Sequence, residues 1–287
     1  MRRNRTLVAM AILVIMVFFL GCSDDKNPVQ ADQFGEVSGT ITFVGTWPSK
    51  GDIQVSMWTS WPPTGPPAAF TSPLTPGVLT QTYKISGLSK GPYSVITVGW
   101  RNPADPTGAK VIGVYSGNDI LGVDCKGQFT VQTFPIEISD AKLKWSDVNI
   151  RANLDIANLG EISGKVTFVG TWPTAGDIQV SAWTSWPPTG PPAAASAAFN
   201  RDNNTQTYRI QCLAQKTYPV ITVGWRDPAN PAGARVLGIY WANSDSVGVT
   251  DGRGITPQGI QALPINITAG NLTWKNVNIK ANLDFSK

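Results

Sequence analysis

Two long stretches of this chain are nearly the same stretch. Residues 36–69 align with 161–194 at an offset of 125, with 28 of 34 positions identical. Residues 94–115 align with 219–240 at the same offset, with 15 of 22 identical. Towards the C-terminal end the offset becomes 129, matching 145–155 with 274–284. Four residues were therefore gained or lost between Tyr115 and Pro135, which marks a surface loop. Self-similarity over so long a period means two copies of one folding unit, and 287 residues leave room for about two domains. The expected bodies are 36–156 and 161–285, joined by a connection at 156–160 that is short for a hinge.

The period inside each copy is that of strands. Val37, Gly39, Ile41 and Phe43 alternate with polar residues, as do Ile53, Val55 and Met57, and again Val148, Ile150, Ala152 and Leu154. A period of two buries one face and wets the other. Residues 93–100 are apolar on both faces, as in a central strand. Seven strands are predicted per copy, at 36–44, 52–58, 80–87, 92–101, 109–116, 128–138 and 146–155. With 28 Gly, 22 Pro and only 15% charged residues, turns fit between them better than long helices do. The expected class is all-β: two tandem seven-stranded Greek-key β-sandwich domains behind a signal peptide and a flexible tether.

The start of the chain carries that signal. Arg2, Arg3 and Arg5 precede fourteen apolar residues, 7–20, too few to span a membrane and fitting for a secretory signal at 1–21. Phe19-Leu20-Gly21-Cys22 resembles the lipobox of bacterial lipoproteins, in Gly21 and Cys22 more than in the two residues before them. The resemblance implies a diacylglycerol on Cys22, hence membrane lipid as a partner and a place in the cell envelope, at the outer membrane. Residues 22–35 then form a polar tether, and which face of the membrane it serves stays open. Without the three arginines, 20 basic residues stand against 19 acidic ones. That balance gives no support to a nucleic-acid partner.

Tyr83, Ile85, Gly87, Leu88, Gly91, Tyr93 and Val95 form a strand–turn–strand signature. It resembles that of carboxypeptidase regulatory-like domains, which are sandwiches of transthyretin-like (prealbumin-like) topology. In the second copy Tyr208, Ile210, Leu213, Tyr218 and Val220 keep the apolar positions, while Cys212 and Lys216 replace the glycines. The resemblance implies an accessory module with no catalytic residues, so the protein is not expected to be an enzyme.

Residue chemistry agrees with that expectation. There is no His, the commonest general base and zinc ligand. Beyond Cys22 only Cys125 and Cys212 remain, too few for a thiolate metal site, so neither a metal nor another cofactor is expected. The two cysteines occupy non-equivalent positions, and a disulfide would require both to meet at the junction; two free thiols are the expectation. Asn102 and Asp105 become Asp227 and Asn230 in the other copy, an exchange that suits turn residues and not catalytic carboxylates.

Eleven Trp is a heavy load, and ten of them form five equivalent pairs. Trp100 and Trp145, with Trp225 and Trp274, are assigned to sandwich cores and edges. Trp58 and Trp61, with Trp183 and Trp186, belong to a twelve-residue segment, WTSWPPTGPPAA, that is identical in both copies. Alternation turns Trp58 away from Ile53, Val55 and Met57, and the prolines stiffen the loop that holds Trp61. Two readings stay open. Either these rings present platforms to a glycan or an envelope protein, or the loop seals a sheet edge in a structural or spacer lipoprotein without a ligand of its own.

Overall fold

The computed structural model describes residues 34–286, apart from Pro188, Thr189, Asp202 and Pro228. The expected signal peptide, Cys22 and most of the tether lie outside the described residues. From Gly35 onward the chain forms one compact unit. None of its described helices is long and apolar enough to cross a membrane.

The first copy begins with β1 (Gly35–Val44), β2 (Asp52–Trp58), β3 (Ala69–Phe70), β4 (Thr80–Leu88) and β5 (Gly91–Tyr93). It continues with β6 (Val95–Asn102), β7 (Asp105–Val114), β8 (Ile136–Ile138), β9 (Lys144–Trp145) and β10 (Ile150–Asn153). The second copy repeats the series as β11 (Gly160–Val169), β12 (Asp177–Trp183), β13 (Ala194–Ala195), β14 (Thr205–Leu213) and β15 (Thr217–Tyr218). Then come β16 (Val220–Asp227), β17 (Asn230–Ile239), β18 (Ile265–Asn266), β19 (Thr273–Trp274) and β20 (Ile279–Asn282). The fold is all-β, as expected. Each of the seven segments predicted in the first copy contains a strand.

In the second copy two sheets enclose the core, ordered β13-β12-β16-β17 and β14-β11-β19, with β20 also on β11. The first copy has the same layers, linked by one pairing of Ala152 with Gly113 into the order β3-β2-β6-β7-β10-β1-β4. β6 is central, and Val95, Ile96, Val98 and Trp100 are all buried, as their two-sided apolarity predicts.

Three departures from the predicted strands have local causes. The segment at 92–101 divides at Ser94, because β5 pairs with β8 while β6 pairs with β2 and β7. The segment at 128–138 yields only β8; the loop before it makes isolated bridges such as Val123 with Phe129. The last segment shortens to β10, after which Leu154–Asn158 winds into a 3-10 turn capped by the Asn153 side chain. The inward alternation still holds, since Val148, Ile150, Ala152 and Leu154 are all buried.

One close approach organises each core. A Cβ at Gly39 would lie 2.2 Å from the Val148 carbonyl oxygen, and one at Gly164 would lie 2.1 Å from that of Val277. Those carbonyls accept bonds from the Tyr83 and Tyr208 hydroxyls, at 2.8 and 2.6 Å. Glycine admits the crossing backbone, and the tyrosine satisfies a buried acceptor that would otherwise be costly. Burial pushes both phenols well above their ordinary pKa.

The connection between the copies is packed. Ile156 and Ala157 are buried in the first core, and Leu272 of the second copy touches both cores. Asn158 donates to the Thr46 carbonyl, and Gln215 donates to that of Asn158. Lys110 reaches in to donate to the carbonyls of Ile156 and Leu159. Across the junction Lys275 pairs with Asp105 at 2.9 Å and donates to the Thr107 hydroxyl.

The expectation of two free thiols is overturned at this junction. Cys125 and Cys212 form a disulfide with Cα atoms 5.5 Å apart. Their non-equivalence follows from the head-to-tail packing, in which the two copies meet through different surfaces and so need different residues. Cys125 lies in the turn Asp-Cys-Lys-Gly at 124–127, which matches Asp-Gly-Arg-Gly at 251–254. Cys212 takes the place of Gly87 and keeps its left-handed backbone, φ 66° against 74°. A side chain is unfavourable there, and the crosslink gives it a reason to be present.

Two predictions follow from the junction. Peptide mapping without reductant should recover a linked pair containing Cys125 and Cys212, and Cys125→Ser should lower global unfolding stability by about 2–4 kcal/mol. The second concerns pH. Burial holds the Lys110 amine down at about 8, with Glu161 opposing the shift and Arg209 adding to it. Its folded pKa lies below its unfolded one, so the unfolded chain binds the extra proton between about pH 8 and 10 and stability rises across that window. Chemical denaturation of Lys110→Met should show that rise flattened.

Candidate functional site

The outer face of the β13-β12-β16-β17 sheet is the floor of a cleft of about 620 Å³ in the second copy. β12 contributes Asp177, Gln179, Ser181 and Trp183 at alternate positions, the face that sequence alternation assigned to this tryptophan. β16 sets Thr222 opposite Ser181 and Gly224 opposite Gln179. Trp183 donates its Nε1 hydrogen to the Thr222 hydroxyl at 2.9 Å, which fixes the ring at one end of the floor.

Trp186 forms a second wall. Its indole rests against Gly254, where an added Cβ would come within 3.1 Å of the ring. Gly254 has φ 77°, so glycine supplies both the turn and the clearance. Both rings also pack on a small cluster of Val220, Ile239 and Val249, which leaves them half-buried with one side in the core.

Trp225 borders the far end, where it pairs opposite buried Ile178 and packs against the core. Its Nε1 donates to the Ala175 carbonyl at 2.9 Å, and Gly176 provides the space for that contact. Arg226, Arg235 and Arg253 line the cleft beside it. Arg235 donates through Nη1 to the Gly233 and Ala234 carbonyls, and Gly252 leaves room for its arm, since a Cβ there would lie 2.7 Å from its Cδ. Arg253 donates through Nε and Nη2 to Asp251, and that hydrogen bond holds the Asp251 carboxyl below the usual range.

The same loop meets different surroundings in the first copy. Trp58 again bonds Thr97, at 2.9 Å, but Trp61 is stacked on Phe129 with centroids 4.8 Å apart and planes 22° from parallel. Aligning the turns at 124–127 and 251–254 places Thr256 where Phe129 stands. The other end differs as well. Trp100 is buried with Lys110 5.3 Å over its ring, and it shares a narrow inter-copy crevice of about 200 Å³ with Asn271, Leu272 and Thr273.

The structure therefore brings Trp183 and Trp186 into one cleft, and in the first copy stacks Trp61 on Phe129 while all four rings stay half-buried. The sealing reading also has a structural counterpart. The return leg of each proline loop pairs with the edge of β2 or β12, through Ala68 to Met57 and Ala193 to Ala182. Trp145 and Trp274 are edge rings, donating to the Glu137 and Asn266 carbonyls. Asn102 and Asp227 close matching turns by accepting from the amides two residues on, as their exchange suggested. Among the described residues no group of three His, Cys, Asp or Glu could hold a metal. Sequence reasoning missed the three arginines and the half-exposure of Trp225; the recurring Asp-x-basic-Gly turn was the available signal for Arg253.

No family model and no curated protein matches this chain. Among solved structures it is similar to a leucine-rich repeat protein from Bacteroides thetaiotaomicron, with 12% identity, 88% of this chain and 26% of that chain covered, and a TM-score of 0.31. It is also similar to the tip fimbrial protein Mfa3 from Porphyromonas gingivalis, with 11% identity, 81% and 91% covered, and a TM-score of 0.22. A streptococcal ancillary pilin aligns at 9% identity over 85% and 62% of the two chains, with a TM-score of 0.17. These likenesses are too distant to assign a family or an activity. The regulatory-domain resemblance rests on its strand–turn–strand residues, of which Tyr83, Ile85, Leu88, Tyr93 and Val95 are buried.

Because Phe129 shields Trp61, Phe129→Thr is expected to expose that indole. Acrylamide quenching of tryptophan fluorescence should increase in this variant, and the matching Thr256→Phe should reduce quenching of Trp186.

Proposed function

We propose that this is a lipid-anchored, non-catalytic cell-envelope protein, held at the outer membrane through acylated Cys22, whose second copy binds a glycan or protein in the Trp183–Trp186 cleft. The carrying observation is that the repeated Trp/Pro loop borders a cleft at Trp186, whereas at Trp61 the ring is stacked on Phe129. Rings already held by Thr222 and Gly254 lose little freedom on contact, which favours binding. A concave site with a few placed polar groups is the usual form of a ligand pocket. The first copy then serves as the support that joins the binding copy to the tether.

A spacer with no ligand of its own is the second reading, favoured by Phe129 packing on Trp61 as a purely internal contact. The two separate on Trp186→Ala, assayed for retention on immobilised glycan and envelope fractions and for unfolding. Binding predicts a loss of at least about 2 kcal/mol in affinity. Unfolding stability should then fall by much less than the roughly 3–5 kcal/mol of a fully buried tryptophan. A large stability loss with unchanged retention would return the ring to a structural role.

A further inference from the structure

We infer that the cleft in the second copy takes an acidic oligosaccharide, a pyranose chain bearing carboxylates; this rests on the binding reading above and narrows it. Three arginines line the cleft, against Asp177 on the floor and Asp251 beside Arg253. In Arg235 and Arg253 the side-chain bonds found among the described residues use two of the five donors that a guanidinium carries. Each can therefore offer further N–H groups to a planar anion, the recognition for which a guanidinium is suited.

Position sharpens the case. The turn at 251–254 meets the arm of Arg235 at Gly252, carries Arg253 next, and meets Trp186 at Gly254. The cation and indole contacts thus fall one or two residues apart along one tight turn. A uronate presents the same combination, an apolar ring face to stack and a carboxylate at the ring's edge. Gln179 and Ser181 on the floor supply amide and hydroxyl groups for sugar hydroxyls. A neutral glycan would use the indoles and leave the guanidiniums unmatched.

An acidic peptide fits less well. Extended peptides gain affinity by adding to a sheet edge, but the β12 edge is already occupied by β13, through Ser181 with Ala195 and Ala182 with Ala194. The cleft floor is a sheet face, whose backbone groups are paired within the sheet.

The test is calorimetric titration of the full chain with oligosaccharides of galacturonate, glucuronate and mannuronate, each beside its carboxyl-reduced neutral form. At least one acid should bind about tenfold or more tightly than its reduced form, with added salt eroding the difference. Arg235→Gln combined with Arg253→Gln should cut the preference sharply, while Trp186→Ala weakens binding of the acid and of its reduced form alike. Equal affinity for an acid and its reduced form would overturn the charge inference and leave the glycan-binding reading standing. Binding of no saccharide would overturn both. Trp186-dependent binding of poly-glutamate in place of the saccharides would reassign the cleft to a protein partner.

Discussion

The head-to-tail contact between the two copies is the constraint on which the rest of this molecule depends. A contact of this kind uses one surface of the first copy and a different surface of the second. Trp100, Asp105 and Lys110 face the second copy, and all three are committed there: one buried, one paired with Lys275, one bound to the connecting carbonyls. Their counterparts Trp225, Asn230 and Arg235 have no third copy against them among the described residues. The open surface has also lost the junction's chemistry. Asp105 is replaced by Asn230 and Cys125 by Gly252, and on the facing side Cys212 and Lys275 correspond to Gly87 and Ser146. Neither the ion pair nor the crosslink can therefore recur between chains, which leaves the outward face without the means to repeat the internal contact.

Beneath that asymmetry the two cores are built alike. Gly39 and Gly164 admit a crossing carbonyl, and Tyr83 and Tyr208 satisfy it, so β1 and β11 can run parallel to β10 and β20. The same economy appears at the surface, where Gly51 and Gly176 seat the indoles of Trp100 and Trp225. One exchange between the copies shows how the surroundings differ. Asn204 accepts from the Trp172 indole, whereas Leu79 occupies the corresponding place and the buried Nε1 of Trp47 has no hydrogen-bond partner among the described residues.

What could be read from the residues divides along the same line. Alternation at Val148, Ile150, Ala152 and Leu154 placed their side chains correctly even where the backbone leaves the strand, because burial period is a local property. Trp183 was legible for the same reason, pointing with Gln179 and Ser181 away from the core. Cys125 and Cys212 were not, since nothing within either copy states which surfaces will meet. Trp225 was legible as a core-edge ring, since it pairs opposite buried Ile178 and packs against the second core. Phe129 escaped notice because it lies in the loop whose length changed, where the offset used elsewhere no longer aligns equivalent residues.

The twelve-residue loop itself makes the wider point. Its two occurrences have one sequence, the same indole-to-threonine bond and the same return along the strand edge. Among the described residues they meet different neighbours, Phe129 over Trp61 and Gly254 beside Trp186. A stacked aromatic partner satisfies the ring internally, while a glycine leaves its face to the cleft. Whether such a loop can recognise anything is therefore decided by the turn that faces it, which the two copies share in its Asp-x-basic-Gly frame and not in the residue two positions on, Phe129 against Thr256.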